Sequence, residues 1–366
     1  NDYFPTIGPV DFIIGGPPCQ PFSAAGARAS GVAGTRDDQG NLFREYVRVL
    51  KVLSPEGFLF ENVYRIVGAN GGRDWQAIIN EFTRAGYQLH YRILDTADYG
   101  VPQHRERLII VGVRNGAKTK EPYNFPRPTH GPDSLTNLPH YTSAQALSGA
   151  SVRGINEGLK GKYGHLLAEI PPGLNYSYFT EKMGHPRPIF AWRSKFSDFL
   201  YKADPEMPVR TLKALGGQYT GPFHWEGRPF TIAELKRLQT FPDNYEIVGT
   251  KIGAVKQIGN SVPPQFARIL ALSILEQIFG QPAPIKLANL APSENLSFRK
   301  RKRQLTERYK AVAQKAISQL GDQKKAVQAL RYRADLEGSL GWQILENGPL
   351  YLVENLADRL LRISVS

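Results

Sequence analysis

The sequence predicts an α/β fold built on a mostly parallel sheet. Four short apolar runs have the pattern of buried strands, and stretches with apolar residues at helical spacing separate the first three of them. Such alternation is typical of a mostly parallel sheet with helices on both faces. The predicted strands lie at about 11–14, 57–60, 89–94 and 108–113.

Two amphipathic helices account for the spacing between these strands. The first is predicted from about 41 to 53, and its apolar face consists of Leu42, Phe43, Tyr46, Val49, Leu50 and Leu53. The second has Trp75, Ile78, Ile79 and Phe82 on one face. It is predicted to stop at Gly86, because glycine favours the position just past a helix end.

Length and composition restrict the class of protein. A chain of 366 residues that is 41% hydrophobic can bury a large core, which favours one large and one or two smaller domains and excludes a disordered chain. One cysteine excludes a disulfide framework, no apolar stretch approaches a membrane span, and no leader pattern opens the sequence, so a cytoplasmic protein is expected. The net charge of +13 favours polyphosphate partners.

The only cysteine, Cys19, lies in a segment typical of a nucleophile. It follows the apolar run 11–14, the pair Gly15-Gly16 that lets the backbone turn, and Pro17-Pro18, whose fixed φ directs the thiol out of the sheet edge. The alternative is that Cys19 is a small buried hydrophobic residue, as most free cysteines are. We favour the nucleophile because the rest of the chain supplies the partners that a thiol needs.

Charged residues stand at two further strand ends. Glu61 follows the strand 57–60, and because ligands gather at the carboxyl ends of parallel strands, Glu61 and Cys19 are expected at one rim. A carboxyl group at this position can donate a proton to a ring nitrogen. The alternative is that Glu61 is a solvated residue at the start of a loop. Arg105 and Arg107 lie two residues apart just before the last strand, so both guanidinium groups are expected on one side of an extended segment, where they can bind a phosphate, a base oxygen or a carboxylate. The alternative is that they form only a surface charge cluster.

These elements, in this order, resemble the signature motifs of the C5-cytosine DNA methyltransferase family of the bacterial restriction-modification type. Pro18-Cys19-Gln20, Glu61-Asn62-Val63 and the segment 103–107 match its PCQ, ENV and QxRxR motifs. The segments 228–242 and 257–264 resemble its last two motifs. The resemblance covers about residues 10–280 and implies a Rossmann-like methyltransferase core.

The resemblance implies methyl transfer from S-adenosylmethionine to C5 of a cytosine at a specific site in double-stranded DNA. Cys19 would add to C6 while Glu61 protonates or hydrogen-bonds N3, so that C5 becomes nucleophilic. Arg107 would hold the flipped base and the catalytic carboxylate, and Arg105 would stabilise the site electrostatically. The target nucleotide would have to swing out of the duplex to reach these groups.

The resemblance also assigns ligand contacts residue by residue. The expected cofactor contacts are Pro18, Leu42, Asn260 and Ser261, and no metal site is implied. The expected DNA contacts are Gln20, Ser23, Arg28, Arg36, Arg210, Thr211 and Arg228. The glycine-rich segment 24–40 is expected to close over the flipped base, the alternative being a disordered surface insertion.

The chain is expected to divide into four segments. Residues 1–117 and 227–280 would form the core, and residues 118–226, rich in Pro, Gly, Tyr and His, a smaller irregular target-recognition domain. Residues 281–366 would form a basic helical extension. Its run Arg299-Lys300-Arg301-Lys302-Arg303 either contacts phosphates or begins a solvated helix.

The sequence departs from the family pattern at its start. The glycine-rich cofactor loop that the family carries first is missing, so the core is expected to be incomplete at the N-terminus. Either a second polypeptide that supplies this loop or a longer parent protein is expected. Two other functions stay open: a catalytically silent DNA-binding subunit, which the intact set of Cys19, Glu61 and Arg107 argues against, and an RNA methyltransferase, which the long recognition region argues against.

Overall fold

The computed structural model describes residues 8–17, 42–117, 122–150, 158–193, 196–320, 331–334 and 340–343, with the backbone alone at 298–305 and in the last two segments. The chain divides into two compact units, residues 1–140 with 262–296 and residues 141–261 with 297–366. Among the described residues, none of the helices is both long enough and apolar enough to cross a membrane.

The regular elements have the following bounds. The strands are β1 (Phe12–Gly15), β2 (Gly57–Val63), β3 (Tyr87–Asp95), β4 (Gln103–His104), β5 (Glu106–Arg114), β6 (Val209–Arg210), β7 (Arg331–Ala334) and β8 (Leu340–Gln343). The helices are α1 (Leu42–Leu53), α2 (Arg73–Arg84), α3 (Ser143–Leu147), α4 (Leu166–Glu169), α5 (Ile232–Leu238), α6 (Lys251–Asn260), α7 (Pro264–Gln277) and α8 (Phe298–Gln319).

The first unit contains a four-stranded sheet in the order β1-β2-β5-β3. β1 and β2 are parallel, while β5 is antiparallel to both of its neighbours, so three of the four strands run in one direction. The prediction of a mostly parallel α/β sheet is confirmed, with β5 as the exception. Its direction follows from the connection after β3, which is a short 3₁₀ turn at Thr96–Tyr99 and not a crossover helix.

Helices cover both faces of this sheet, as the alternation of strands and helices predicts. Side chains alternate along β2, so Phe58 and Phe60 face one side and Leu59 the other. The first side packs against residues of α1 and α2, among them Val47, Leu50, Ile78 and Phe82. The second side packs against α7 through Phe266, Ile269, Leu270 and Ile274.

The second unit is largely irregular and has its own aromatic core. Short helices and turns surround a cluster of buried rings, several of which meet edge to face. The rings are Tyr163, Tyr176, Tyr178, Phe179, Phe190 and Phe223. A second cluster joins Ala203, Val209, Leu212, Phe230, Leu238 and Ile258.

The boundaries of the compact units differ from the predicted segments in three places. Residues 118–140 belong to the first unit, where Tyr123 and Phe125 pack in the sheet cluster. Residues 227–261 belong to the second unit, because Leu238 and Ile258 pack in its smaller cluster and not on the sheet. Residues 281–296 return to the first unit, where Leu296 packs against the sheet cluster.

Candidate active site

The carboxyl ends of β1 and β2 bring two predicted site elements together. The two strands are parallel, and Gly15 pairs in register with Phe60, so Gly16 and Glu61 follow side by side. A Cβ atom at Gly16 would lie 3.2 Å from Glu61 Oε2. The Glu61 carboxylate therefore lies against the backbone that leads, two residues later, to Pro18 and then to Cys19, both of which are outside the described residues.

Gly15 is needed because a tyrosine closes over it. A Cβ atom at Gly15 would overlap the ring of Tyr46 on α1. The Tyr46 hydroxyl lies 3.1 Å from the Ile13 carbonyl oxygen and 2.9 Å from that of Leu59, so it bridges the two parallel strands. Burial, followed by the neighbouring Tyr87, raises the pKa of Tyr46 above its usual range, and the hydroxyl keeps its proton. The two glycines thus permit close approach of side chains at the end of β1.

Arg107 holds the Glu61 carboxylate from the neighbouring strand. It lies near the start of β5, opposite Val63 in register, and its Nε is 2.8 Å from Glu61 Oε1. This contact has the distance of an ion pair, although the alignment at Oε1 is not that of a hydrogen bond. Arg107 also donates through a terminal nitrogen to the Glu106 carbonyl at 2.8 Å. The two side chains are 13% and 15% exposed, so the pair is open on one side.

Asp95, at the end of β3, fixes the segment that carries Arg107. One carboxylate oxygen lies 2.8 Å from His104 Nδ1, and the other accepts the backbone N–H groups of Arg105 at 2.9 Å and Ala97 at 3.3 Å. The residue is 4% exposed. Sequence reasoning missed Asp95, and the only signal for it was a carboxylate at the end of a predicted strand.

Arg105 differs from Arg107 in its surroundings. It is only 3% exposed, whereas alternation along an extended segment predicts that both guanidinium groups face one side. The backbone of Arg105 is held by Asp95, and the residue belongs to the interior. Its predicted role in stabilising the site stays a prediction.

Asn260 and Ser261 lie at the end of α6 in the second unit. Asn260 is exposed, whereas the Ser261 hydroxyl donates to the Ile258 carbonyl at 2.7 Å and accepts from Gln239 Nε2 at 3.0 Å. Gln239 is fully buried and also donates to the carbonyl oxygens of Ile258 and Ser261. Sequence reasoning missed Gln239, which holds the turn after α6 and lies in the motif that precedes it.

Gly259 allows α6 to pack against the segment that follows Thr211. A Cβ atom at Gly259 would overlap the backbone of Lys213 and Ala214. The glycine in the motif 257–264 is therefore required for backbone contact within the second unit. Thr211 is half-buried two residues before this contact.

The structure argues against the DNA contact predicted for Arg228. Its terminal nitrogens donate to both oxygens of Glu234 at 2.9 and 2.8 Å, and its Nε donates to Glu226 at 3.1 Å. The Arg228 side chain is 7% exposed and that of Glu234 is 1% exposed. A guanidinium group that is buried in this way has no open face for a phosphate.

Arg210 is partly engaged with the protein and partly open. Its guanidinium carbon lies 3.9 Å from the centre of the Tyr201 ring, and one terminal nitrogen donates to the Ser197 carbonyl at 3.1 Å. The side chain is 40% exposed, which leaves room for a ligand. The remaining predicted contacts, Gln20, Ser23, Arg28 and Arg36, lie outside the described residues, as does the predicted closing segment 24–40.

Comparison with known proteins shows the family of this chain. A family model described as C-5 cytosine-specific DNA methylase matches residues 2–276. The chain belongs to this family. The predicted family is therefore confirmed, and with it the assignment of the chain as a DNA cytosine methyltransferase.

Two relatives and one solved structure illustrate the match. Type II methyltransferase M.SacI of Streptomyces achromogenes is 37% identical over 289 residues, which cover 74% of this chain and 73% of that protein. Type II methyltransferase M.NgoFVII of Neisseria gonorrhoeae is 36% identical over 280 residues, covering 75% and 72%. A prophage-encoded protein of E. coli described as a DNA modification methyltransferase has a TM-score of 0.50 at 24% identity, over 76% of this chain and 82% of its own, and this likeness concerns the fold alone. None of these matches supports the expected second polypeptide.

Proposed function

We propose that this protein methylates C5 of a flipped cytosine in double-stranded DNA, with S-adenosylmethionine as methyl donor and Cys19 as covalent nucleophile. One observation carries the proposal: the Glu61 carboxylate, held by Arg107, lies against the Gly16 backbone that leads into the Pro18-Cys19 dipeptide. A thiol and a carboxyl group at one rim are the two groups that addition to a cytosine ring requires. Both relatives described above are named type II methyltransferases, which favours a role in a restriction-modification system.

In the proposed reaction, the Cys19 thiolate forms a bond to C6 of the cytosine. The electron pair of the C5=C6 bond moves to C5, while Glu61 protonates or hydrogen-bonds N3 and so limits the negative charge on the ring. Arg107 keeps the carboxylate in place beside the nucleophile segment. After transfer, a base, which we take to be water, removes the C5 proton. The bond between C6 and sulfur then breaks, the C5=C6 bond re-forms and the thiolate is released.

S-adenosylmethionine, when bound, supplies the electrophilic methyl group that C5 takes up. Of its four expected contacts, Leu42 is half-buried at the start of α1 and Asn260 is exposed at the end of α6, so an apolar side chain and an amide are open to a ligand. The Ser261 hydroxyl is already bonded to Ile258 and Gln239 and is better suited to fixing this turn. Leu42 in the first unit and Asn260 in the second are thus the described residues whose types suit contacts to the cofactor.

The DNA substrate would be bound with its target base outside the stack. A base inside a duplex cannot reach the Glu61 carboxylate, which lies near the carboxyl end of β2, and enzymes that modify bases extrude them. The partly exposed Arg210 is the described residue best suited to a phosphate or base contact among those expected.

A duplex in which 5-fluorocytosine replaces cytosine tests the covalent step. Fluorine at C5 does not leave as a proton does, so after methyl transfer the bond between Cys19 and C6 persists. We expect a protein–DNA adduct that survives denaturation and that peptide mapping locates at Cys19, in the presence of S-adenosylmethionine only.

Two controls interpret this experiment. A Cys19→Ser variant should bind the same duplex without forming an adduct, because the hydroxyl group is a far weaker nucleophile and phosphate contacts are untouched. RNA of the same sequence, also carrying 5-fluorocytosine, should give no adduct. An adduct on another residue, or one formed with RNA alone, would contradict the proposal.

A further inference from the structure

Helix α8 carries an unusual share of the positive charge of the protein. Its 22 residues contain eight Lys or Arg residues and one Glu, in a chain whose net charge is +13. Five of the basic residues are consecutive, from Arg299 to Arg303. More than half of the net charge therefore lies on one helix.

The second half of α8 is fixed to the second unit by an apolar face. Ala313 is fully buried in the aromatic cluster, and Tyr309, Val312, Ala316 and Ile317 pack against the same cluster. Gly173 lies directly under the Tyr309 ring, where a Cβ atom would overlap it. The helix is thus part of the unit that contains Arg210 and Thr211, two of the three expected DNA contacts that the structure describes.

Polar contacts to Asp204 add to this packing and neutralise only one of the basic side chains described on α8. Arg308 donates to Asp204 Oδ2 at 3.2 Å, and the Tyr309 hydroxyl donates to the same oxygen at 3.3 Å. Lys310 and Lys315 are exposed and form no ion pair within the described part of the chain. Only Arg308, among the basic side chains that the structure describes on α8, is neutralised by an acidic residue.

The basic run lies where it opposes helix stability. The amino end of a helix carries a partial positive charge, so acidic residues stabilise the first turn and basic ones destabilise it. The first turn of α8 has no acidic residue, and the run Arg299 to Arg303 starts at its second position. Residues three and four apart are neighbours on a helix, so the like charges of Arg299, Lys302 and Arg303 also destabilise it. A bound polyanion would relieve both costs.

We propose that the basic run of α8 binds the phosphate backbone of duplex DNA outside the target site and supplies sequence-independent affinity. The proposal rests on the proposed function for the identity of the nucleic acid. The α-helix is continuous from Phe298 to Gln319, so the run belongs to the same helix as the half that packs in the second unit. Arg and Lys that neutralise phosphates release counterions, which makes the affinity depend on salt.

The test is the salt dependence of DNA binding by the full chain. In the variant Arg299→Gln/Lys300→Gln/Arg301→Gln/Lys302→Gln/Arg303→Gln, we expect the slope of log Kd against log salt concentration on a labelled duplex of arbitrary sequence to fall by about 2 to 4, since each phosphate contact contributes about 0.9. The affinity at low salt should fall roughly tenfold. An unchanged slope would overturn the proposal.

Two further variants keep the test falsifiable. Lys51→Gln/Lys286→Gln removes exposed charges from the first unit and should leave the slope within about 0.5 of the wild type. Arg299→Lys/Arg301→Lys/Arg303→Lys keeps the charge and should bind as the wild type does, because a phosphate contact needs only a point charge; failure to do so would overturn the proposal. If single-stranded RNA or polyglutamate competes with the run better than duplex DNA does, the assigned partner is wrong.

These measurements are independent of methyl transfer. They need neither S-adenosylmethionine nor Cys19, so a failed covalent trap with an intact slope change would contradict the proposed function alone. An intact trap with no slope change would contradict the inference about α8 alone. Circular dichroism of each variant checks that α8 is still formed.

Discussion

The two units contain Glu–Arg pairs with the same chemistry and different surroundings. In the first unit, Glu61 and Arg107 meet through one contact of 2.8 Å, and both side chains are about one-seventh exposed. In the second unit, Glu234 accepts two parallel bonds from Arg228 at 2.8 and 2.9 Å and a third from the Thr231 N–H at 2.8 Å. The Glu234 side chain is 1% exposed.

The difference shows how the same two residue types serve either a reaction or the fold. Protein donors occupy both oxygens of Glu234, which also completes the capping box of α5 with Thr231. The described residues donate no well-aligned hydrogen bond to Glu61 Oε1, and Oε2 lies against Gly16 beside the nucleophile segment. Glu61 can therefore still accept a hydrogen bond from a ligand, whereas both oxygens of Glu234 already accept hydrogen bonds from the protein.

The largest effect is expected from Glu61→Gln. Glutamine keeps the size of the side chain and cannot transfer a proton to N3, so methyl transfer at saturating DNA should fall roughly 10² to 10⁴-fold. Duplex affinity and the melting temperature should stay close to those of the wild type. Incorporation of labelled methyl groups into duplex DNA measures the activity, and a fluorescent duplex measures the affinity.

Glu56→Gln is the matched control for this experiment. Glu56 lies 4.0 Å from Arg114 at the opposite end of the same two strands, and both side chains are 41% exposed. A surface pair of this kind contributes little, so activity and stability should change by less than about twofold and about 0.5 kcal/mol. Equal loss of activity in both variants would refute the special role of the carboxyl end.

The sequence predicts the parts of this comparison that depend on chain order. Apolar runs followed by Cys19 and by Glu61 predict that both groups follow parallel strands; β2 in fact continues to Val63 and contains Glu61, and its register with β1 places Gly16 beside Glu61. The capping box of Thr231 and Glu234 is also visible at its spacing of three residues. These features depend on neighbouring residues or on a strand direction that most of the sheet shares.

Other parts depend on tertiary packing and were missed or misassigned. Arg228 is basic and lies in a motif of a DNA-binding family, but its burial follows from Glu234 on α5, which spacing alone does not reveal. Asp95 and Gln239 act through hydrogen bonds to backbone groups, which any polar residue type can form. The direction of β5 depends on a short connection, whereas the alternation of elements favours a parallel strand.

The second prediction concerns the stability of the second unit. Glu234→Gln leaves the Arg228 guanidinium buried without its counter-charge, which we expect to cost about 3 kcal/mol of unfolding free energy. Because Gln also forms capping boxes, the loss reports on the charge pair and not on the start of α5. Urea unfolding, followed by fluorescence, measures the difference.

Two variants sharpen this prediction. Arg228→Met/Glu234→Gln removes both charges, so the double variant should recover part of the loss. Glu226→Gln removes the 62% exposed partner of Arg228 and should cost less than about 1 kcal/mol. Loss of the same size from the exposed and the buried partner would contradict the assignment.

The smallest expected effect is a dependence of stability on pH, which comes from the histidine beside the buried pair. Burial, the largest cause, and Arg228 lower the pKa of His224 to about 4, although Glu234 and Glu226 act in the opposite direction. His224 Nδ1 accepts the Glu226 N–H at 3.1 Å, so the neutral ring carries its proton on Nε2. Burial raises the pKa of Glu234, but the bonds from Arg228 and Thr231 outweigh it, and the net pKa lies below the usual value.

Both shifts predict a loss of stability in acid, in different windows. The unfolded chain protonates His224 near pH 6.5 and the folded chain only near pH 4, so stability is full above 6.5 and falls as the pH drops between these values. The contribution of Glu234 to stability is present above about pH 4.5 and is lost below it.

The variant His224→Asn tests this prediction. Asparagine keeps an acceptor for the Glu226 N–H and does not titrate, so the melting temperature of the variant should fall less than that of the wild type between pH 6.5 and 4. The melting temperature of the variant should still depend somewhat on pH, because burial also lowers the pKa of His185 in the same unit. Differential scanning calorimetry across this range decides the question, and parallel curves for the two proteins would show that His224 does not couple the stability of the second unit to pH.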